Sequence, residues 1–260
     1  LEKRWGYFPA VSAGWTVSEE NFFTPLKDVV TNLKLRASWG QNGSLAALAS
    51  NLYGYGTTMV TAGYYPFVPG NNYTTGIRPN SLGNDELKWE TSEQINVGLD
   101  ARLFNDRLTF SMDWFHKKTK DLLITGTTPS LIIGGTTSPI NAGNVSNKGF
   151  EFEIGWRDKI GDFDYSIKGN LATLKNKVTY LDPSLTRAAG TTFHTNTITY
   201  FEEGYPVYYF RGYRCEGINP EDGEPIFADL DNNGIINEDD KTYIGDAIPD
   251  FTYGITLTAA

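Results

Sequence analysis

Apolar and polar residues alternate with a period of two in seven stretches of this 260-residue chain, a pattern typical of β-strands with one buried or lipid-exposed face. The clearest stretches are residues 108–114 and 149–156, where large apolar side chains alternate with Thr, Ser, Asp, Glu or Gly. The seven predicted strands cover about residues 7–17, 33–40, 93–104, 107–117, 145–156, 163–171 and 251–258. The pattern therefore predicts an all-β, antiparallel sheet with an apolar and a polar face.

The connections between these strands are alternately short and long. Tight turns are predicted near residues 105 and 161, and long loops over 41–88, 119–144 and 176–249. Bacterial outer-membrane barrels have short periplasmic turns and long outer loops. The spacing therefore favours a partial transmembrane β-barrel with long extracellular loops. A soluble β-sandwich, whose strands also alternate, stays open as an alternative.

The ends of the chain and one connector carry further expectations. Seven strands do not close a bacterial barrel, which normally has an even number, and the last strand stops at Ala260 without a turn. We therefore expect residues 1–260 to be part of a barrel domain within a larger protein. After the first strand, residues 24–30 are expected to form a helical turn with Thr24 as N-cap and Pro25 at its first position.

Composition and charge exclude some classes of protein. No run approaches the roughly 18 apolar residues of a membrane helix. Aromatic residues make up 14% of the chain, and four tryptophans on apolar faces are interpreted as barrel-wall and interface residues: Trp15, Trp39, Trp114 and Trp156. The net charge is −9, and residues 216–250 hold eleven acids against one base, Lys241. This balance argues against a nucleic-acid partner.

The most specific local motif is an acidic loop with the spacing of an EF-hand. Oxygen ligands are expected at loop positions 1, 3, 5, 7, 9 and 12, with Gly234 at position 6. The candidate ligands are Asp229, Asp231, Asn233, Ile235 through its carbonyl, Asn237 and Asp240. A structural Ca²⁺ that braces an outer loop is the hypothesis, and a solvated acidic turn without metal is the alternative.

Two other groups of residues are candidates for a function. Aromatic rings in the long loops are candidates for stacking on a sugar or a peptide side chain: Tyr53, Tyr55, Tyr64, Tyr65, Tyr208 and Tyr209. Packing between loops, or against a partner, explains them equally well. Glu151 and Glu153 share one strand face near Asp113, but a polar lumen wall explains these carboxylates without catalysis. No nucleophile elbow or phosphate-binding loop is present, so no enzyme is predicted.

Five phrases of the sequence, in this order, resemble one family. They are residues 87–94 (LKWETSEQ), 113–123 (DWFHKKTKDLL), 141–151 (NAGNVSNKGFE), 229–237 (DLDNNGIIN) and 243–254 (YIGDAIPDFTYG). Together they resemble the C-terminal half of SusC/RagA-type TonB-dependent transporters of the Bacteroidetes outer membrane. The resemblance implies a barrel of about 22 strands with a plug inside. No plug, TonB-contact segment or final strands are recognised in residues 1–260.

The resemblance also implies a function. A SusD-like surface lipoprotein would capture a glycan or peptide, and TonB, acting through the plug, would drive its import across the outer membrane. This segment would supply barrel wall in contact with outer-membrane lipid, lumen lining and outer loops. The alternative function is a soluble, calcium-braced β-domain that binds carbohydrate. A passive porin-like channel and, more remotely, a secreted hydrolase also stay open.

Overall fold

The structure is a computed structural model that describes residues 5–46, 54–68, 72–124, 136–137 and 139–260. One large antiparallel sheet dominates the described part, and seven of its strands follow one another across it in chain order. Its strands are β1 (Ala10–Thr16), β2 (Val30–Ser44), β5 (Glu90–Leu103), β6 (Leu108–Ile124), β8 (Ile140–Ile160), β9 (Phe163–Thr173) and β19 (Phe251–Ala259). These are the seven strands that the alternation predicts.

One further strand lengthens the sheet beside β8. Strand β10 (Lys175–Leu181) follows β9 after Leu174 and pairs with residues 143–148 of β8, whereas β9 pairs with residues 151–160. Strands β9 and β10 therefore run as two consecutive sections along one partner. We call the end of the sheet that holds residues 104–107 and 161–162 the inner end, and the opposite end, which meets the long connections, the outer end.

The pairing register gives the sheet two chemically distinct faces. The apolar face is shown by one row of cross-strand neighbours: Trp15, Leu35, Leu99, Met112, Phe152, Leu171 and Tyr253. The adjacent row on the polar face holds Arg36, Gly98, Asp113, Glu151, Ala172 and Thr252. Several side chains of the apolar face are exposed, with Ile255 at 71%. Such exposure fits a lipid-facing wall better than a β-sandwich, whose apolar faces cover each other.

The four predicted wall tryptophans lie on the apolar face. Trp15 pairs with Leu35 towards the inner end, and Trp39 pairs with Ile95 towards the outer end. The indole N–H of Trp15 donates to Glu20 (2.9 Å), and that of Trp39 donates to Glu93 (3.1 Å). Apolar rings with a hydrogen-bonded N–H are typical of the two interfaces of a membrane.

The predicted long loops contain strands of their own. Residues 41–88 include the hairpin of β3 (Thr58–Val68) and β4 (Asn72–Leu82), which pairs with β7 (Thr136–Thr137). Residues 182–249, which we call the outer module, hold three small sheets. Their strands are β11 (Ala188–Ala189), β12 (Thr192–Phe193), β13 (Asn196–Thr197), β14 (Thr199–Phe201), β15 (Tyr209–Tyr213), β16 (Cys215–Ile218), β17 (Pro225–Phe227) and β18 (Lys241–Gly245).

The connections at the inner end confirm one prediction and correct another. Gly161 and Asp162 form a two-residue turn in which Gly161 adopts φ +63°, a conformation that favours glycine. The predicted helical turn with Thr24 as N-cap is wrong: a 3-10 helix spans Asn21–Leu26, with Pro25 inside it. The Thr24 hydroxyl donates to the carbonyl of Asn21 and caps no N–H group. Among the described residues, no helix is long and apolar enough to cross a membrane.

Candidate functional site on the polar face and in the outer module

A network of charged side chains crosses three strands at the centre of the polar face. The Arg36 guanidinium on β2 donates to both carboxylate oxygens of Asp100 on β5, at 2.6 and 2.9 Å. It also donates to Asp113 on β6 at 2.9 Å, and the Ser111 hydroxyl donates to Asp100 at 2.8 Å. Forked contacts of this kind fix the guanidinium geometry. The network therefore presents fixed charges to the space that the polar face lines.

Gly98 makes this network possible. It lies on β5 between Arg36 and Asp113, which are its cross-strand neighbours on either side. A Cβ at this position would lie 2.3 Å from Asp113 Oδ1 and 3.0 Å from Arg36 Cζ. The missing side chain therefore lets the arginine reach over one strand to the next.

The carboxylates of Glu151, Glu153 and Asp113 lie on one face of the sheet, as the alternation predicts. Glu151 and Glu153 both lie on the polar face, and Glu151 is the cross-strand neighbour of Asp113. A concavity of about 470 Å³ lies over this region, lined by residues that include Arg36, Asn96, Lys117 and Glu151. It is open and polar. The concavity is therefore a hydrophilic surface that could contact a polar solute in the lumen.

The outer module packs against the polar-face side of the outer end. Its Phe201 is 2% exposed and forms a cluster with Val145 of β8 and with Val178 and Leu181 of β10. Val145 and Val178 are cross-strand neighbours, and a Cβ on Gly143 would lie 3.0 Å from the Phe201 ring. Backbone bonds join Val178 to Gly204 and Tyr205. The module is therefore anchored above the face that carries the charge network.

A ring cluster stabilises the interior of the module. Tyr209 stacks on Tyr205 with 4.5 Å between ring centroids and lies 5.8 Å from Tyr243. Its hydroxyl donates to Glu202 at 2.5 Å. Burial, followed by the contact with Glu202, raises the pKa of Tyr209 above its ordinary range. The hydroxyl therefore stays protonated and serves as a donor.

The six candidate aromatic residues have different surroundings. Tyr209 is 2% exposed, so its ring packs inside the module, whereas Tyr208 is 52% exposed and adopts φ +54°. Tyr55 is also exposed. Tyr64 and Tyr65 lie in β3, paired with Thr75 and Thr74, and Tyr53 lies outside the described residues. Of the two candidates in the outer module, only Tyr208 offers an accessible ring, and substrate contact stays a prediction.

The acidic loop is folded as a compact turn. The backbone N–H groups of Asn233 and Gly234 donate to Asp229, at 3.2 and 2.7 Å. The Gly234 N–H is the main cause that lowers the pKa of the Asp229 carboxyl. Gly234 has φ +79°, which a glycine adopts without strain. The sequence motif therefore predicts the sharp turn correctly.

Three of the six candidate ligands come together. Carboxylate oxygens of Asp229, Asp231 and Asp240 all lie within 4.8 Å of one another. Asp240 is fully buried, and its two oxygens accept the backbone N–H groups of Leu230 and Asn237, at 2.7 and 2.8 Å. The Asn237 side chain accepts the Asp239 N–H at 2.8 Å. Oxygen donors of this type suit Ca²⁺, and calcium binding stays a prediction.

A cluster centred on Asn141 was missed by the sequence analysis. The Asn141 amide donates to the carbonyls of Lys88 (3.0 Å) and Asp121 (2.7 Å) and accepts the Lys88 N–H. Asp121 adopts φ +58° at a bulge in β6 and pairs with the Lys88 ammonium at 2.6 Å. These residues belong to three of the phrases that carry the family resemblance. The phrases therefore mark a connection between the outer ends of β5, β6 and β8.

A sheet with an exposed apolar face, a charged polar face, tight inner turns and long outer connections defines a transmembrane β-barrel wall. Comparison with known proteins then gives the family. The sequence model described as "TonB dependent receptor-like, beta-barrel" matches residues 2–254. The chain belongs to this family, whose barrels lie in the outer membrane.

Individual relatives agree with this assignment. The chain is 34% identical to TonB-dependent receptor P3 of Formosa agariphila, over 96% of this chain and 26% of the relative. It is 30% identical to TonB-dependent receptor SusC of Bacteroides thetaiotaomicron, over 98% of this chain and 26% of that protein. The fold is similar to a structure of the RagAB peptide transporter, with a TM-score of 0.81 and 24% identity, covering 100% of this chain and 28% of that one. The chain thus spans about a quarter of the length of these relatives.

Proposed function

We propose that the protein containing this chain imports a nutrient actively across the outer membrane. The observation that carries the proposal is that two features lie on the same side of the sheet. One is a polar face with a hydrogen-bonded charge network, and the other is the anchored outer module. A solute that passes the module would meet polar and charged groups next. Membership of the TonB-dependent receptor-like family supports active transport rather than passive diffusion.

The proposed partners are a SusD-like surface lipoprotein and TonB. The similarity to SusC and to the RagAB transporter supports both partners. TonB would act through a plug segment outside residues 1–260. This chain would contribute part of the lipid-exposed wall, part of the lumen lining and outer loops that meet substrate and lipoprotein. It would carry out no bond chemistry.

The proposed substrate is a glycan or a peptide. The exposed ring of Tyr208 offers a stacking surface, and the concavity lined by Arg36, Asn96, Lys117 and Glu151 offers hydrogen-bond donors and acceptors. Both substrate classes have hydroxyl or amide groups that such a surface would bind. The choice between them depends on the outer loops.

The proposal is tested by uptake in the native bacterium. Cells with the intact gene and cells lacking it would be given fluorescently labelled oligosaccharides and oligopeptides, with and without a protonophore. We expect uptake of one class to require both the gene and the proton gradient. Uptake that requires the gene but persists with the protonophore would indicate a passive channel instead. Equal uptake in both strains for every substrate would contradict the proposal.

A further inference from the structure

Five lysines form a basic surface at the outer end of the sheet, on the same side as the apolar face. Two lie on β6, one on β8 and two on β10: Lys118, Lys120, Lys148, Lys175 and Lys177. We call them the lysine belt. All five side chains are exposed. The proposed import function does not account for them.

The pairing register places the belt on the lipid side of the wall. Side chains alternate between the two faces of a strand, so Lys118 and Lys120 share a face with Trp114, and Lys148 shares one with Phe150. Lys148 is the cross-strand neighbour of His116 on β6 and of Lys175 on β10. In the next row outwards, Ser146 lies between Lys118 and Lys177. The belt therefore continues the apolar face towards the outer end.

The height of the belt matches the outer interface of a membrane. Lys148 lies eight residues along β8 from Trp156, which is an apolar-face position near the inner end. At about 3.3 Å per residue and a strand tilt of about 40°, this separation is about 20 Å across the membrane. The row of Lys118 and Lys177 lies about 5 Å further out by the same geometry. An outward apolar band is about 25 Å tall, so the belt lies at its outer border.

The positive charge of the belt is largely unbalanced within the described part of the chain. Lys120 pairs with Glu93 at 2.5 Å. No carboxylate of a described residue lies within 4.0 Å of the other four ammonium groups, although Lys148 and Lys175 face each other directly. Like charges directly opposite each other destabilise a sheet. At the inner end, by contrast, Arg107 pairs with Asp158 and Lys159 with Asp164, each at 3.3 Å.

We propose that the lysine belt binds the phosphate groups of lipid headgroups in the outer leaflet. An anion between Lys118, Lys148 and Lys175 would remove the repulsion that the sheet pairing creates. The long alkyl stems of these lysines would lie along the lipid chains while their ammonium groups reach the headgroup level. Basic residues at this depth attract anionic lipid. The proposal depends on the barrel assignment and is independent of the transported substrate.

The experiment uses the full-length transporter, purified in a neutral detergent and titrated with bisphosphorylated lipid A by native mass spectrometry. The test variant combines Lys118→Gln, Lys148→Gln and Lys175→Gln. We expect lipid A binding to weaken roughly a hundredfold, since each interfacial lysine contributes separately to anionic-lipid affinity. Binding by the wild-type protein should also fall with added salt, because the interaction is ionic.

A matched control removes three lysines from the polar face: Lys34→Gln, Lys117→Gln and Lys168→Gln. Lys117 is adjacent to Lys118 in sequence but lies on the opposite face. The control should bind lipid A as the wild type does. If the triple test variant fails to fold, Lys148→Gln and Lys148→Arg replace it, and only the first should lose affinity.

Three results would overturn the proposal. Equal loss of lipid A binding in the test and control variants would indicate a general charge effect. Equal binding of lipid A and its dephosphorylated form would show that phosphate is not recognised. Displacement of lipid A by an equal concentration of inorganic phosphate would assign the surface to free phosphate instead of a headgroup.

Discussion

Replacing Phe201 with alanine should make the outer module open away from the barrel wall more often, while the large sheet stays intact. The ring is 2% exposed and packs against Val145, Val178 and Leu181. Loss of a buried Phe side chain costs about 3–5 kcal/mol. We take about 3 kcal/mol, because the module can partly close the gap. At about 1.4 kcal/mol per factor of ten, local opening should become roughly a hundredfold more frequent.

Amide hydrogen exchange of the full-length transporter in detergent measures this opening directly. Protection should fall roughly a hundredfold in β14 and β15, in line with the opening estimate, and stay unchanged in β5 and β6. Phe193→Ala is the matched control, because Phe193 belongs to the same module but is 66% exposed. If protection in Phe201→Ala equals that of the wild type, or if both variants lose it equally, the Phe201 cluster does not anchor the module.

Three further predictions concern other parts of the structure. Gly98→Ala should lower the temperature at which the folded barrel loses its heat-modifiable gel migration. The new Cβ would lie 2.3 Å from Asp113 Oδ1, and overpacking costs about 1–3 kcal/mol. Gly169→Ala is the control and should leave this temperature unchanged, because the nearest atom to its new Cβ is 3.6 Å away. Chelation of Ca²⁺ should increase protease cleavage within residues 229–240, and unchanged cleavage would contradict metal binding. Acidification below about pH 4 should loosen the same loop without chelator. The folded-state pKa of the Asp229 carboxyl is lowered. The stabilising contribution of this carboxylate is therefore present above its ordinary pKa and is lost as the pH falls through its lowered folded-state pKa. Hydrogen exchange at pH 3 and pH 6, corrected for the intrinsic rate, checks this.

The alternation in the sequence predicted seven of the eight strands of the large sheet and the face of the four wall tryptophans, but it missed β10 and underestimated the lengths of several strands. β2 continues to Ser44 where the pattern ended at about residue 40, and β6 continues to Ile124 where it ended at about 117. The alternation depends on lipid on one side of the wall, and it ends where the strand leaves the apolar layer. Backbone hydrogen bonding has no such limit and continues into water.

The outer module shows why the long loops were harder to predict. Its strands are two to five residues long, too short for a period of two to stand out, and they pair across many intervening residues. Strand β15 pairs with β18 although the β16–β17 hairpin and the acidic loop lie between them. The turn at Gly234 was predictable because its chemistry is local. The burial of Phe201 was not, because it depends on contacts with β8 and β10. The burial of Tyr209 was not either, because its ring packs against Tyr205 and Tyr243 of other segments of the module.

The difference between local sequence pattern and strand pairing also explains why the sequence does not predict the lysine belt, whereas the pairing register shows it. In residues 117–120 three lysines fall within four positions, and the predicted strand ends at about residue 117, so the amino-acid pattern gives no face to Lys118 or Lys120. The pairing of β6 with β5 continues without a shift from Leu108 to Lys120, so the faces assigned at Phe110 and Met112 extend to Lys118 and Lys120. Lys117 therefore faces the lumen while Lys118 faces lipid headgroups. Two adjacent residues of identical chemistry then belong to different surfaces, one suited to the solute and the other to the membrane.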